Sequence, residues 1–224
     1  MDPDRITSLL QPFLVASGAP MAEQEALPTE ILRSILIYID LLLRWNARIN
    51  LTAVRSPEEI VTRHFGESFF AARHLFPAGK VRDSAHHLLD LGSGAGFPGI
   101  PIKLWNPAIR LTLVESNQKK VTFLREVARA LTLTNINVVA ARAEDISGPQ
   151  ADTVTLRAVE RFDQVLPVSL RLLQPAGRLA LLIGSSQLTD AHKVPAVITW
   201  SPTIKIPMSS NRILLIGRRG ESIS

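Results

Sequence analysis

In the first third of the chain the apolar residues recur at helical spacing. Ile31, Ile35, Tyr38, Ile39, Leu42 and Leu43 fall on one side of a helix, and no alternating Val/Ile-rich run interrupts the pattern between residue 6 and about residue 75. Pro28 breaks this region, and Thr29 stands where a long helix needs its N-cap. Ser56-Pro57-Glu58-Glu59 predicts a second start, with proline at the first helical position and acids in the first turn, where the helix dipole favours them.

From His86 onward the pattern changes to short apolar runs separated by helical stretches. Residues 87–91, 111–115, 138–141, 153–156 and 178–183 read as strands, with helices starting near Pro98, Asn117 and Phe162. Strands that alternate with helices at this spacing predict an α/β fold with a mostly parallel sheet covered on both faces. Two more apolar runs, 194–200 and 213–217, are joined by a segment too short and proline-rich for a crossover helix, so they are expected as an antiparallel edge pair. The expected organisation is a helical N-terminal cap over 1–80 and a sheet-based core over 81–224, joined near residues 80–85.

The absence of cysteine from all 224 residues changes the picture most, since it excludes disulfides, thiolate metal sites and a cysteine nucleophile. No run approaches the roughly 18 apolar residues of a membrane span. The start, Met1-Asp2-Pro3-Asp4, is acidic where a signal peptide is basic, so a cytoplasmic protein without a membrane partner is expected. The net charge of +5 is unevenly placed: residues 1–170 hold 18 basic and 18 acidic side chains, and residues 171–224 hold seven against two. Basicity confined to the C-terminal segment gives the expectation that Arg218, Arg219 and their neighbours touch an anionic partner such as RNA, the alternative being a solvated basic face.

Candidate chemistry concentrates at Leu88-Leu89-Asp90-Leu91-Gly92-Ser93-Gly94-Ala95-Gly96-Phe97-Pro98-Gly99, a strand, a glycine run and a helix start. Glycines belong where backbone approaches a ligand closely, and the helix N-terminus beyond offers unpaired N–H groups, so a nucleotide-like cofactor is the natural occupant. Gly94 to Gly99 satisfies the dinucleotide pattern G-x-G-x-x-G, yet the glycine that follows the strand directly is Gly92, and the sixth position from it is Phe97. The order acid, x, Gly, x, Gly, x, Gly looks instead like the first motif of S-adenosylmethionine-dependent methyltransferases, in which Asp90 would hold the loop and the cationic end of the cofactor. Glu115 closes the next strand about 20 residues on, where a carboxylate can accept both ribose hydroxyls in either cofactor class. Ala143 and Glu144, just past the third strand, would lie beside the adenine, and a helix-cap region is the other reading. Gln174-Pro175-Ala176-Gly177 predicts a turn into the fifth strand.

These pieces, in this order, resemble one family, the bacterial 16S ribosomal RNA guanine-N-7 methyltransferases, also called glucose-inhibited division protein B. The resemblance rests on Trp45-Asn46-Ala47-Arg48-Ile49-Asn50-Leu51-Thr52, on Arg63-His64 with Glu67-Ser68, and on Asp90 through Phe97-Pro98-Gly99-Ile100-Pro101. Lys120-Val121-Thr122-Phe123-Leu124, Arg142-Ala143-Glu144 and Leu156-Arg157-Ala158 complete it, and together they cover about residues 40–180. It implies a Rossmann-like class I methyltransferase fold with a seven-stranded sheet. It also implies S-adenosylmethionine bound by Gly92, Gly94, Phe97, Glu115, Ser116, Asn117, Ala143, Glu144 and Arg157, with Arg157 the catalytic candidate and no metal. The implied partner is 16S rRNA, free or in the small subunit, methylated at a guanine of the 527 type by a monomeric enzyme. Two positions depart from the family pattern: Ile183-Gly184 stands where Lys-Gly is usual, and Glu67 where Asp is usual.

Methyl transfer from a sulfonium is an in-line displacement that mainly requires alignment, and guanine N-7 has a free lone pair and no proton to lose. The chain accordingly lacks an Asp/Asn-Pro-Pro-aromatic motif for an exocyclic amine and a cysteine for pyrimidine carbon-5. Arg157, just past the fourth strand, can orient a carboxylate or phosphate, with an ion pair to Asp152 or Glu160 as the competing role. Trp45 reads as a packing anchor, and His64 gains a substrate role only through the resemblance. Two other readings compete: an NAD(P)-dependent oxidoreductase, with His192 the available acid/base, and a non-enzymatic RNA-binding module.

Overall fold

A computed structural model describes residues 1–15, 27–77, 85–147, 151–159, 161–194 and 197–221. Most of the expected 80–85 junction lies outside these residues. The chain opens with α1 (Pro3–Leu14), capped by Asp2, and α2 (Thr29–Asn46). Thr29 is the first helical residue of α2 and not its cap; Pro28 takes the cap position in extended conformation and contributes no side-chain bond. Ser56 does cap α3 (Pro57–Ile60), its hydroxyl accepting the Glu59 N–H at 3.4 Å. The helix then widens into a π segment (Val61–Gly66) before continuing as α4 (Glu67–Leu75). A π segment is uncommon and often marks a functional position; here it carries Arg63 and His64.

The remainder follows the alternating pattern: β1 (His87–Leu91), α5 (Gly99–Trp105), β2 (Arg110–Glu115), α6 (Gln118–Ala130), β3 (Ile136–Ala140), β4 (Ala151–Arg157), α7 (Phe162–Arg171) and β5 (Leu173–Gly184). After α8 (Leu188–Ala191) come β6 (Ile198–Trp200), β7 (Ile204–Lys205) and β8 (Arg212–Arg219). The sheet order is β3-β2-β1-β4-β5-β8-β6, parallel through β5 and antiparallel beyond, with β7 also pairing β8. The seven strands of the expected fold are present, and β7 is a two-residue addition. The C-terminal runs do pair antiparallel, but β8 is interior to the sheet and only β6 is an edge. The turn expected at 174–177 is a break in the ladder: Ala151 pairs Leu173, and the next pair is Thr153 with Arg178.

Alternation along the strands sorts the core into two faces. Leu88, Leu113, Ala180 and Leu182 face the side covered by α1, α2, α4, α5 and α6, while Leu89, Leu91, Leu179, Leu181 and Ile183 face α7 and α8. The strand order reverses between β1 and β4, and in open α/β sheets the crevice outside the strand carboxyl ends at such a switch receives ligands.

Helix α2 is fastened directly over the glycine loop. Tyr38 is fully buried, donates its hydroxyl to the Ala95 carbonyl and stacks on Phe97 with ring centroids 5.1 Å apart. Gly96 sits beneath it at φ +88, and a Cβ there would lie 2.3 Å from the Tyr38 hydroxyl and 2.7 Å from Ile100. Tyr38→Phe is expected to cost about 1–3 kcal/mol, because the Ala95 carbonyl loses its buried donor. Gly96→Ala should cost more, and the double variant less than the two losses summed, since removing the hydroxyl relieves part of the clash. Denaturant unfolding of the four proteins checks this; strict additivity would mean that Tyr38 and residue 96 do not meet.

Candidate active site

A cavity of about 660 Å³ opens at the carboxyl ends of β1, β2, β3 and β4. The cofactor residues implied by the resemblance border it: Gly92, Gly94, Phe97, Glu115, Ser116, Asn117, Ala143, Glu144 and Arg157. Thr52, His64 and Lys120 complete the wall on the helical side.

Glu115 organises the loops around this space. One carboxylate oxygen accepts the Gly94 N–H at 2.9 Å and the other accepts the Asn117 N–H at 2.8 Å. Asn117 in turn caps α6, its side-chain oxygen accepting the N–H of Lys119 at 3.0 Å and of Lys120 at 3.3 Å. A carboxylate offers about four acceptor positions, so each Glu115 oxygen keeps one for a ligand hydroxyl. Gly92 and Gly94 have φ of +66 and +56; a Cβ at Gly92 would press on Val159 at 2.9 Å, and one at Gly94 would meet only the Gly92 carbonyl, at 3.8 Å. The loop thus leaves room for a ligand where side chains would intrude. Ala143 begins a 3-10 turn (Ala143–Asp145), and Arg171 fixes that turn through the Glu144 carbonyl at 3.0 Å.

Asp90 holds the loop but does not border the cavity. It is 1% exposed, accepts the Thr155 hydroxyl at 2.6 Å and the Gly99 N–H at 3.3 Å, and burial pushes its pKa up to about 6. The Asp90 side chain, expected near the cofactor's cationic end, is directed toward α5 and the core.

Arg157, at the end of β4, is buried, and it pairs with Glu67 rather than with Asp152. Asp152 accepts the His87 N–H at 2.7 Å, and Glu160 lies outside the described residues. One terminal nitrogen of Arg157 donates to Glu67 at 3.0 Å and to the Arg63 carbonyl at 2.7 Å, and lies 3.2 Å from His64 Nδ1. Its Nε is buried with no hydrogen-bond partner among the described residues. The same Glu67 oxygen accepts Arg212 at 2.6 Å.

The contacts around His64 favour one tautomer. The Arg157 terminal nitrogen is a donor only and shares its two protons among Glu67, the Arg63 carbonyl and this ring, which suits an accepting Nδ1 and a proton on Nε2 directed at Thr52 Oγ1, 2.8 Å away. The Val54 N–H donates to the same oxygen at 3.1 Å, so the Thr52 hydroxyl proton is left to be donated elsewhere at the cavity wall. Beyond its place in the Trp-Asn element, nothing local to Thr52 signals this role. His64 also stacks on Phe97 at 4.7 Å. Burial, followed by the charges of Arg157, Arg63 and Arg212, pushes its pKa down to about 2, so the ring is neutral at every physiological pH.

The other expectations sort as follows. Trp45 anchors α2 to α6, packing on Phe123 and donating to Glu126 at 3.1 Å. Ile183 is 3% exposed and faces the α7–α8 core, so the position bears no cation toward the site; Arg212, opposite Gly184 in β8, brings one to this end of the sheet. His192 does not border the cavity and lies 6.1 Å from the Trp200 ring. Most cations of the basic C-terminal segment are engaged within the protein: Arg178 donates to the Leu75 carbonyl, Arg219 to the Leu170 carbonyl, Arg171 to the Glu144 carbonyl and Arg212 to the Glu67 carboxylate, while Lys193 pairs Asp190 at the surface. Among the described residues no helix is long and apolar enough to cross a membrane.

The family model of GidB, rRNA small subunit methyltransferase G, matches residues 31–212. The chain belongs to this family. Ribosomal RNA small subunit methyltransferase G of Xanthomonas campestris pv. campestris (strain B100) is 39% identical over 188 residues, 84% of this chain and 85% of that protein. Its counterpart from Xanthomonas oryzae pv. oryzae (strain MAFF 311018) is 36% identical over 214 residues, 94% of this chain and 97% of that one. Among solved structures, TrmN from Thermus thermophilus superposes with a TM-score of 0.57 at 17% identity, covering 71% of this chain and 53% of that one. Ribosomal protein L11 methylase from Lactobacillus delbrueckii subsp. bulgaricus gives 0.57 at 16%, covering 70% and 80%. These two likenesses carry the fold, and the family membership rests on the GidB match and its relatives.

In this GidB-family chain, His64 gives a direct test of the site's electrostatics. Only the unfolded state takes up a proton at His64 below about pH 6.5, so this group's contribution to stability falls as pH drops toward the folded pKa of about 2. Asp90 acts in the opposite sense, contributing stability at low pH that is lost as pH rises through about 6. Comparing wild type with His64→Gln isolates the histidine: between pH 6 and 4 the variant's unfolding free energy should depend less on pH, by up to about 1.4 kcal/mol per pH unit. Parallel curves would mean that His64 carries a proton in the folded protein.

Proposed function

We propose that this chain binds S-adenosylmethionine in the cavity at the strand ends and transfers its methyl group to N-7 of a single guanine, of the 527 type, in 16S rRNA. The glycine loop, with open space where a Cβ at Gly94 would project, suits a close-lying nucleoside. Glu115 retains acceptor capacity for the ribose hydroxyls, Ala143 and Glu144 border the adenine end, and Arg157, whose Nε has no hydrogen-bond partner among the described residues, supplies a buried cation toward the carboxylate end. When bound, the cofactor supplies an electrophilic methyl group and leaves as the neutral thioether S-adenosylhomocysteine. In this reading the helical region up to about residue 80 covers the acceptor side of a core that begins near 81, and the enzyme acts in the cytoplasm on free or assembled small-subunit RNA.

The observation that carries the choice of acceptor is the bonding of His64. It is the titratable base on the acceptor side, and both its nitrogens are engaged, Nδ1 with Arg157 and Nε2 with Thr52. A site so arranged cannot take a proton from its substrate without losing its own structure, and N-7 alkylation releases none. The positive charge passes from sulfur to the guanine ring, and the residues need only hold the two in line. The oxidoreductase alternative would require an acid/base at the cavity, and His192 is not there.

Labelled methyl transfer onto naked 16S rRNA and onto assembled small subunits, followed by borohydride and aniline cleavage, tests the reading. A single cut at one guanine is expected; incorporation without a cut would remove N-7 as the acceptor, and no incorporation on either substrate would remove the methyltransferase assignment. The rate of the chemical step should stay level from about pH 6.5 to 8.5, because no base must ionise. Arg157→Ala should lower turnover about a hundredfold through lost alignment, and Arg157→Lys should not restore it, since the shorter lysine side chain leaves its ammonium short of the terminal nitrogen that meets Glu67, the Arg63 carbonyl and His64.

A further inference from the structure

The charge that the sequence concentrates at the C-terminus is largely used inside the fold, which leaves open what contacts a polyanionic substrate. A second cavity, of about 460 Å³, lies beside the first and shares Asn117 and Lys120 with it. Its wall carries Arg48, Arg55, Lys119 and Lys120, and no acidic side chain lines it among the described residues. Arg48, Arg55 and Lys119 are exposed and Lys120 is half-buried, and none of the four joins an ion pair among the described residues.

These cations come from two separate parts of the chain that the structure holds together. Arg48 and Arg55 lie in the loop after α2, and Lys119 and Lys120 form the first turn of α6. Asn46 locks the loop, accepting the N–H of Leu51 at 2.9 Å and of Thr52 at 3.0 Å and donating to the Thr52 carbonyl at 2.9 Å. Trp45 ties the end of α2 to Glu126 of α6. The Trp-Asn element thus sets the spacing of four like charges around one cleft. Holding them together without counter-charges disfavours the compact state, and the positive end of α6 adds to the field, so the arrangement suits an anion from outside.

We propose that this cleft binds backbone phosphates of the RNA strand that carries the target guanine. The inference rests on the function proposed above: a base entering the first cavity brings its neighbouring phosphates to the shared wall at Asn117 and Lys120. RNA is favoured over an acidic protein surface because the cleft adjoins the cavity in which the cofactor's methyl group and the target base would meet, and it combines two guanidinium and two ammonium groups, the chemistry of phosphate contact.

The test measures binding of naked 16S rRNA as a function of salt for wild type, Arg48→Gln, Arg55→Gln, Lys119→Gln and the triple variant. Lys120 is left intact because it also borders the cofactor cavity. Each single change should reduce the slope of log affinity against log salt by about 0.7–0.9, and the triple by about 2–3, with S-adenosylmethionine affinity measured by calorimetry unchanged as evidence of folding. Lys205→Gln and Arg218→Gln, two exposed C-terminal cations away from the cleft, should leave the slope alone. An unaltered slope in the folded triple variant overturns the proposal. An unaltered slope on naked RNA together with reduced methylation of assembled subunits also overturns it, in favour of an acidic protein contact. Because the slope is read from binding, the phosphate site is judged even if wild type methylates no RNA, an outcome that would count against the function alone.

Discussion

One carboxylate joins the helical region to the sheet at the site. Glu67, on α4, accepts Arg157 from the end of β4 and Arg212 from the start of β8 on the same oxygen, and its side chain is 3% exposed. Two guanidinium groups near each other at low exposure repel, and burial alone already lowers the Arg157 pKa; the acid between them makes the arrangement tolerable. The constraint propagates outward. Arg157 is held where its terminal nitrogen also meets the Arg63 carbonyl and His64, both in the π segment, so the wide turn of the helix is fixed against the strand end. The two methylenes of Glu67 give its carboxylate the reach to meet partners on two different strands.

The glycine loop is held from opposite sides by groups that the sequence separates widely. Glu115 grips it from β2 through the Gly94 N–H, and Tyr38 grips it from α2 through the Ala95 carbonyl. Phe97 then becomes a shared surface, stacked by Tyr38 and by His64. The helical region is therefore more than a cover: it supplies contacts that set the backbone of the loop proposed to carry the cofactor.

The parts of this organisation that depend on local spacing were legible in the sequence. Strand-helix alternation gave the five parallel strands, and the interval from the glycines to Glu115 gave two walls of the cavity. What was not legible depends on where side chains point after packing. Asp90 has the right position in the motif but alternation turns it toward α5; Ile183 occupies a strand position whose side chain faces the α7–α8 core. Thr52 acquires its role only because a neutral His64 donates to it, and that follows from a guanidinium 93 residues further along the chain. β8 could not be placed between β5 and β6 from its own residues, since an antiparallel hairpin is satisfied equally well at an edge.

The basic residues show the same separation between composition and field. Counting charges along the chain assigns the excess to residues 171–224, yet the cations there are largely used to satisfy carbonyls and acids within the fold. A cation with a partner contributes little to the potential outside the protein, whereas four in one cleft with no ion pair among the described residues contribute strongly even though the segment containing them is neutral overall. Net charge therefore says little about the outside field where the excess is used internally. The better guide is which cations the fold leaves unpaired and which sequence element holds them together. Here that element is Trp45-Asn46, whose two side chains bond to α6 and to the loop, so a motif that looks like packing also fixes the electrostatics beside the site.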